Sequence, residues 1–290
     1  MRERNVVRDV RPIIRAEARV GEGPVTDPRT GRLCWVDILA GDLLQSDLDG
    51  GTTERWEFDT YLGAIAPRAS QSGFAVAVAE GFGFAVDGAL AIEDPVLADP
   101  QLRMNDAKCD PLGRLWAGSN DLAFASGRGS LHRWDGGGAS TVIRSGLTLP
   151  NGLGWTEDAG TMILIDSMAG TVMRAPFDVD RGEVGDFVPF ATVDDGLPDG
   201  LAVDREDCVW VAIWGASAVH RYDLSGRLIE RVDMPVSQPS SCSFAADGTL
   251  YVTSAREGLS AEQLAREPLA GSVFAIDTDT RGVPVAAFAA

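Results

Sequence analysis

The chain reads as an all-β, six-bladed β-propeller with four-stranded antiparallel blades. Three observations predict it. One strand–turn–strand unit recurs six times, its markers stand about 40 to 47 residues apart, and helical periodicity is nearly absent. Such a spacing is the length of one propeller blade, and closing the ring removes most exposed strand edges.

The first unit is Asp27-Pro-Arg-Thr-Gly-Arg-Leu-Cys-Trp-Val-Asp37, with Trp35 as its marker. A degenerate copy, Ser70-Gln-Ser-Gly-Phe-Ala-Val-Ala77, supplies Val76. The third, Asp110-Pro-Leu-Gly-Arg-Leu-Trp-Ala-Gly118, nearly repeats the first and supplies Trp116. Related units around Ile163, Trp210 and Tyr251 complete the six. A following strand repeats as well: Ser130-Leu-His-Arg-Trp-Asp135 matches Ala218-Val-His-Arg-Tyr-Asp223. Only 260–266 has a helical pattern, and it falls inside a loop. Residues 1–290 are therefore expected to form one domain. Closure is expected to pair a strand at 13–18 with the last blade, whose later strand is placed at 283–288.

Composition narrows the function classes. Hydrophobic residues make up 45% and there are 33 glycines, as suits a turn-rich globular chain. A net charge of -18 opposes binding to nucleic acid or an anionic membrane, both of which require a basic surface. No segment resembles a signal peptide or a membrane span, and the start of the chain is charged. Cys34, Cys109, Cys208 and Cys242 lack C-x-x-C spacing and are expected to be buried free thiols. A cytoplasmic protein, monomeric or a small homo-oligomer, is the expectation.

Four polar residues share one register. Glu22, Asn105, Asn151 and Asp199 precede their markers by about 11 to 13 residues. Equivalent positions in a ring point at a common axis, so these carboxylate and amide oxygens gather where a hard divalent cation would bind. Asn or Asp before Gly is also a common turn former; equal register is what favours the cation. Two long loops, 119–129 and 255–270, belong on the same face and are read as lids or specificity elements. Trp214 is placed in a loop on that face as a ligand contact. His132 and His220 occupy equivalent strand positions away from the axis and are read as structural. No G-x-S-x-G elbow occurs, and two histidines are too few for a His-rich zinc site.

Longer motifs surround these positions: Arg103-Met-Asn-Asp-Ala-Lys-Cys-Asp-Pro111, Leu149-Pro-Asn-Gly-Leu153, Ile165-Asp-Ser167, Leu197-Pro-Asp-Gly-Leu201 and Pro239-Ser-Ser-Cys-Ser-Phe244. Together they resemble the SMP-30/gluconolactonase/regucalcin-like family over nearly the whole length. The resemblance implies a six-bladed propeller that hydrolyses sugar lactones. It implies one divalent cation held by Glu22, Asn151 and Asp199, with Asp199 also the catalytic acid and base. Arg103 and Asn105 would then hold substrate oxygens, which moves Asn105 from ligand to substrate contact. Two departures stand out: Ala107 replaces a common Gly, and Gly118-Ser-Asn120 replaces Gly-Thr-Met. Asp121, beside the second, is a candidate substrate contact.

The expected cofactor is one divalent cation, Ca²⁺ first, with Mg²⁺, Mn²⁺, Zn²⁺ or Fe²⁺ as alternatives. The expected partner is a small-molecule sugar lactone. Two alternatives use the same site: a phosphotriesterase, because a cation that polarises C=O also polarises P=O, and a calcium-binding regulatory protein without turnover. A protein-interaction propeller would not need acidic and amide residues at its axis.

Overall fold

A computed structural model describes residues 8–48 and 53–290; residues 1–7, part of the charged start of the chain, lie outside it. Six antiparallel sheets form the six blades of a propeller. The innermost strands are Gly21–Thr26, Leu62–Pro67, Leu102–Cys109, Pro150–Trp155, Leu197–Val203 and Pro239–Phe244. Each packs beside the innermost strand of the blades before and after it, so together they line one hub. In the fourth blade the outer edge is divided: Thr171–Asp178 pairs with Val188–Thr192 along one half and with Glu183–Val184 along the other.

Period-two alternation explains why the second strand of each blade is nearly continuous in apolar residues. Successive side chains point to opposite faces, and both faces of a blade meet a neighbouring blade. Leu33 and Trp35 pack with Tyr251 and Val273 of the sixth blade, whereas Cys34 and Val36 pack with Ile65 and Val76 of the second. The same division recurs round the ring, giving a hydrophobic cluster between every pair of adjacent blades. Trp116 is fully buried and meets Trp155 and Phe177 edge-on across one such interface.

Asp110 and Asp204 fasten two blades in the same way. Asp110 Oδ2 accepts from Trp116 Nε1 (2.9 Å) and Arg114 Nε (2.6 Å). Asp204 Oδ2 accepts from Trp210 Nε1 (2.9 Å) and from Arg221 Nε and Nη2 (2.9 and 2.6 Å).

Closure differs from the sequence expectation in two respects. The closing strand is Val10–Ile14, paired antiparallel with Val273–Asp277 of the last blade, and only its end overlaps 13–18. Residues 283–288 add no strand to that blade. They cross the hub at the C-terminal ends of the innermost strands, where Val283 N–H donates to Val203 O and Phe288 N–H to Pro67 O. Phe288 stacks on Trp134 at 5.1 Å between centroids. Apolar alternation marks burial, and here the buried partner is the base of the hub, not a strand edge.

The helical reading of 260–266 agrees with the helix Ala261–Arg266. Ser260 caps it, accepting from Gln263 N–H while the Gln263 side chain accepts from Ser260 N–H, a reciprocal capping box. All four cysteines are buried and free. No helix among the described residues is long and apolar enough to cross a membrane.

Candidate active site at the hub

Every innermost strand carries a register shift near its start. The shifts fall between Glu22 and Val25, Leu62 and Ala64, Met104 and Ala107, Pro150 and Leu153, Pro198 and Leu201, and Pro239 and Ser241. Such bulges re-aim side chains at sheet rims. Asn105, Asn151 and Asp199 sit inside them and Glu22 at the edge of its own, which is why equal spacing in sequence becomes convergence in space.

Glycine permits the geometry at two of these positions in different ways. Gly23 holds φ +54°, a left-handed conformation, and its N–H donates to Glu22 Oε2 at 2.8 Å. Gly152 leaves room for the fifth blade: a Cβ there would stand 2.5 Å from Asp199 O and 2.6 Å from Leu201 N.

The four residues, together with Arg103, line a cavity of about 270 Å³ at this end of the hub. The Asn151 amide nitrogen donates to Ser167 Oγ at 3.1 Å and to Asp199 Oδ1. Its amide oxygen is buried and accepts no hydrogen bond. Arg103 Nη1 donates to Asn105 Oδ1 (2.8 Å), and Asn105 Nδ2 donates to Pro150 O (3.2 Å).

Burial dominates the electrostatics. Burial, then Asp199 and Asp106, push the Glu22 carboxyl well above the usual range. Burial and then Asp106 do the same to Asp199, against the opposing pull of Asn151 and Arg103. Burial lowers Arg103 to about 10 even though Glu22, Tyr61 and Asp199 favour its charge. Deeper in the hub, Lys108 Nζ donates to Leu201 O at 2.7 Å and opposes the burial-driven rise of Asp106. Three acidic side chains, Glu22, Asp106 and Asp199, thus share the hub with two basic ones, Arg103 and Lys108.

A divalent cation fits this donor set. Glu22 and Asp199 offer carboxylate oxygens, and the partnerless Asn151 oxygen offers an amide; all are hard donors. Asp204, Glu206 and Cys208 also bring ligand-type atoms within 4.8 Å of one another. That group belongs to the blade fastening, where Arg221 and Trp210 already occupy Asp204.

The other sequence candidates divide. Trp214 lines the cavity. Asp121 does not: it accepts from Ala123 N–H (2.8 Å) and pairs with Arg128 (3.3 Å), fixing the turn that presents Phe124. His132 meets Ser119 Oγ at 2.9 Å and His220 meets Tyr222 Oη at 3.0 Å, both buried within blades. The two long loops contribute Phe124 and Glu257 to the cavity wall. Sequence reasoning missed Ser167 as a partner of Asn151, although Ile165-Asp-Ser167 had been singled out as a motif. It also missed the apolar wall of Phe124, Met168, Leu149 and Ile38, which no periodicity marks.

Residues 20–256 match the family model described as the SMP-30/gluconolactonase/LRE-like region. The chain belongs to this family. Among SMP-30/gluconolactonase relatives, an L-arabinolactonase of Azospirillum brasilense is 34% identical, the match covering 93% of this chain and 92% of the relative. A 6-deoxy-6-sulfogluconolactonase of Pseudomonas putida is 33% identical over 96% of this chain and 97% of its own. The crystal structure of a regucalcin from Agrobacterium tumefaciens, described as a calcium-binding protein, superposes with a TM-score of 0.93. It is 28% identical, covering 99% of this chain and 100% of that one. The family thus includes proteins named as sugar lactonases and proteins named as calcium-binding.

Proposed function

We propose that this chain hydrolyses sugar lactones with the aid of one divalent cation, Ca²⁺ first among the candidates, held by Glu22, Asn151 and Asp199. The observation that carries the reading is one cavity lined by two buried carboxylates, Glu22 and Asp199, and by Asn151, whose amide oxygen has no hydrogen-bond partner. The names of the Azospirillum and Pseudomonas relatives support the lactone, and the regucalcin description supports calcium.

A lactone is a cyclic ester, and water attack places negative charge on its carbonyl oxygen. The bound cation would supply a positive centre that polarises the carbonyl and stabilises that charge, an effect worth several kcal/mol. Asp199 takes the proton from the attacking water as the carbon–oxygen bond forms. It returns that proton to the ring oxygen as the ring C–O bond breaks, leaving an open-chain hydroxy acid. Arg103 donates to a substrate oxygen and, through its bond to Asn105, orients that amide.

Asp199→Asn keeps the propeller and removes the proton acceptor. Turnover of a sugar-lactone panel, followed by a pH indicator with each divalent cation re-added after chelation, should fall about 10² to 10⁴-fold. Full activity in the variant, or in excess chelator, rejects the mechanism. A folded wild-type protein that binds cation and turns over no lactone favours the regulatory reading.

A further inference from the structure

The cavity mouth is poorly suited to hydroxyl groups. Phe124, Met168 and Leu197 stand there with 44%, 46% and 37% of their surface exposed, among the large apolar side chains left open to solvent. Phe124 is held at φ +56°, a left-handed conformation that a bulky residue rarely adopts. The turn is fixed by Phe124 N–H donating to Asp121 O (2.9 Å) and by the Asp121–Arg128 pair. The structure therefore maintains an unfavourable backbone to present a benzyl group to the mouth.

Beyond Arg103 and the Asn151 oxygen at the inner end, several polar side chains of the wall are already engaged. Asn105 uses its oxygen for Arg103 and its nitrogen for Pro150. Ser167 Oγ accepts from Asn151, and Glu257 pairs with Arg19 at 3.2 Å. Hydroxyl groups desolvated against the mouth find few partners there, and each unpaired hydroxyl weakens binding. Phe124 and Trp214 alone would serve the carbon face of a sugar ring. The aliphatic side chains of Leu149, Met168 and Leu197 form no hydrogen bond with any substituent.

We propose that the site takes, beyond sugar lactones, lactones bearing an alkyl chain. The ring lies at the Glu22–Asn151–Asp199 end and the chain lies against Phe124, Met168 and Leu197. This rests on the lactonase reading above and extends its substrate class. The reaction is the same ester hydrolysis, consuming one water and releasing an alkyl-substituted hydroxy acid.

The test compares kcat/KM of the cation-loaded protein for glucono-1,5-lactone, δ-valerolactone, δ-octalactone and δ-decalactone, with Phe124→Ser and Met168→Ser measured in parallel. Each buried methylene should raise kcat/KM about fourfold until the cavity is filled. Both variants should shrink that increment. Calorimetric binding of the same series to Asp199→Asn, which needs no turnover, should show the same trend. Sugar-lactone turnover with no gain along the alkyl series overturns this inference and leaves the lactonase reading standing. An alkyl gain that Phe124→Ser and Met168→Ser leave intact also overturns it. Failure to hydrolyse any lactone overturns both.

Discussion

Replacing Gly152 by alanine adds one methyl group where the innermost strand of the fourth blade lies against that of the fifth. The new Cβ would stand 2.5 Å from Asp199 O, 2.6 Å from Leu201 N and 2.9 Å from Gly200 C. All three are backbone atoms, so no rotamer change relieves the contact, and reaching ordinary van der Waals separation requires the strands to part by nearly an ångström. Overpacking of this kind costs about 1 to 3 kcal/mol, which lowers the melting temperature of a chain this long by roughly 2 to 6 °C. The displaced backbone carries Asn151 on one side and Asp199 on the other, so cation affinity should fall at least about tenfold. Gly154→Ala is the internal control. Its Cβ would meet only the Leu201 and Val203 methyl groups at 3.0 and 3.1 Å, which can move. Calorimetric melts and cation titrations of the two variants decide the matter. A Gly152→Ala protein that melts and binds like wild type would show that the blades are not so close, and the account of the site's assembly would fail.

Three further outcomes follow from the hub and its surroundings. Glu22→Gln should weaken the cation about tenfold or more by removing a charged donor; an unchanged dissociation constant in titration calorimetry removes Glu22 from the ligand set. In chelated protein, Glu22 and Asp199 bind protons more tightly folded than unfolded, so their contribution to stability is present below the unfolded carboxylate value and is lost as pH rises through their raised folded values. Urea melts at stepped pH should show that loss, and saturating cation should abolish it; an identical slope with and without cation refutes the assignment. His132 has the opposite sign: burial lowers it from 6.5 to about 4, so the unfolded chain gains its proton first and stability declines as pH falls across that interval. The loss reaches roughly 3 kcal/mol, and the difference between wild type and His132→Gln should contain it.

Much of this fold is legible because propeller repeats write the same physics six times. Trp35, Trp116 and Trp210 mark strands whose two faces are both buried, and even the degenerate second unit keeps Val76 inside. Register also located Glu22, Asn105, Asn151 and Asp199, since a bulge at the same place in every blade turns equal spacing into proximity. The loops resisted reading because nothing periodic governs them. Asp121 looked like a substrate contact by its neighbourhood, yet its oxygens serve its own turn and Arg128. Phe124 gave no signal, since a left-handed backbone at a bulky residue cannot be inferred from composition. The chain ends misled for a related reason: short apolar runs report burial but not the surface that buries them.

Glu22 lies in the first blade and Asp199 in the fifth, more than half the chain apart, and the sixth blade between them is completed by the strand Val10–Ile14. No partially folded fragment can therefore own the site. A cation captured by Glu22, Asn151 and Asp199 would stabilise the finished circle alone, by mass action. It would arrive last, after the slow long-range pairing has ended, and its uptake would time the completion of folding.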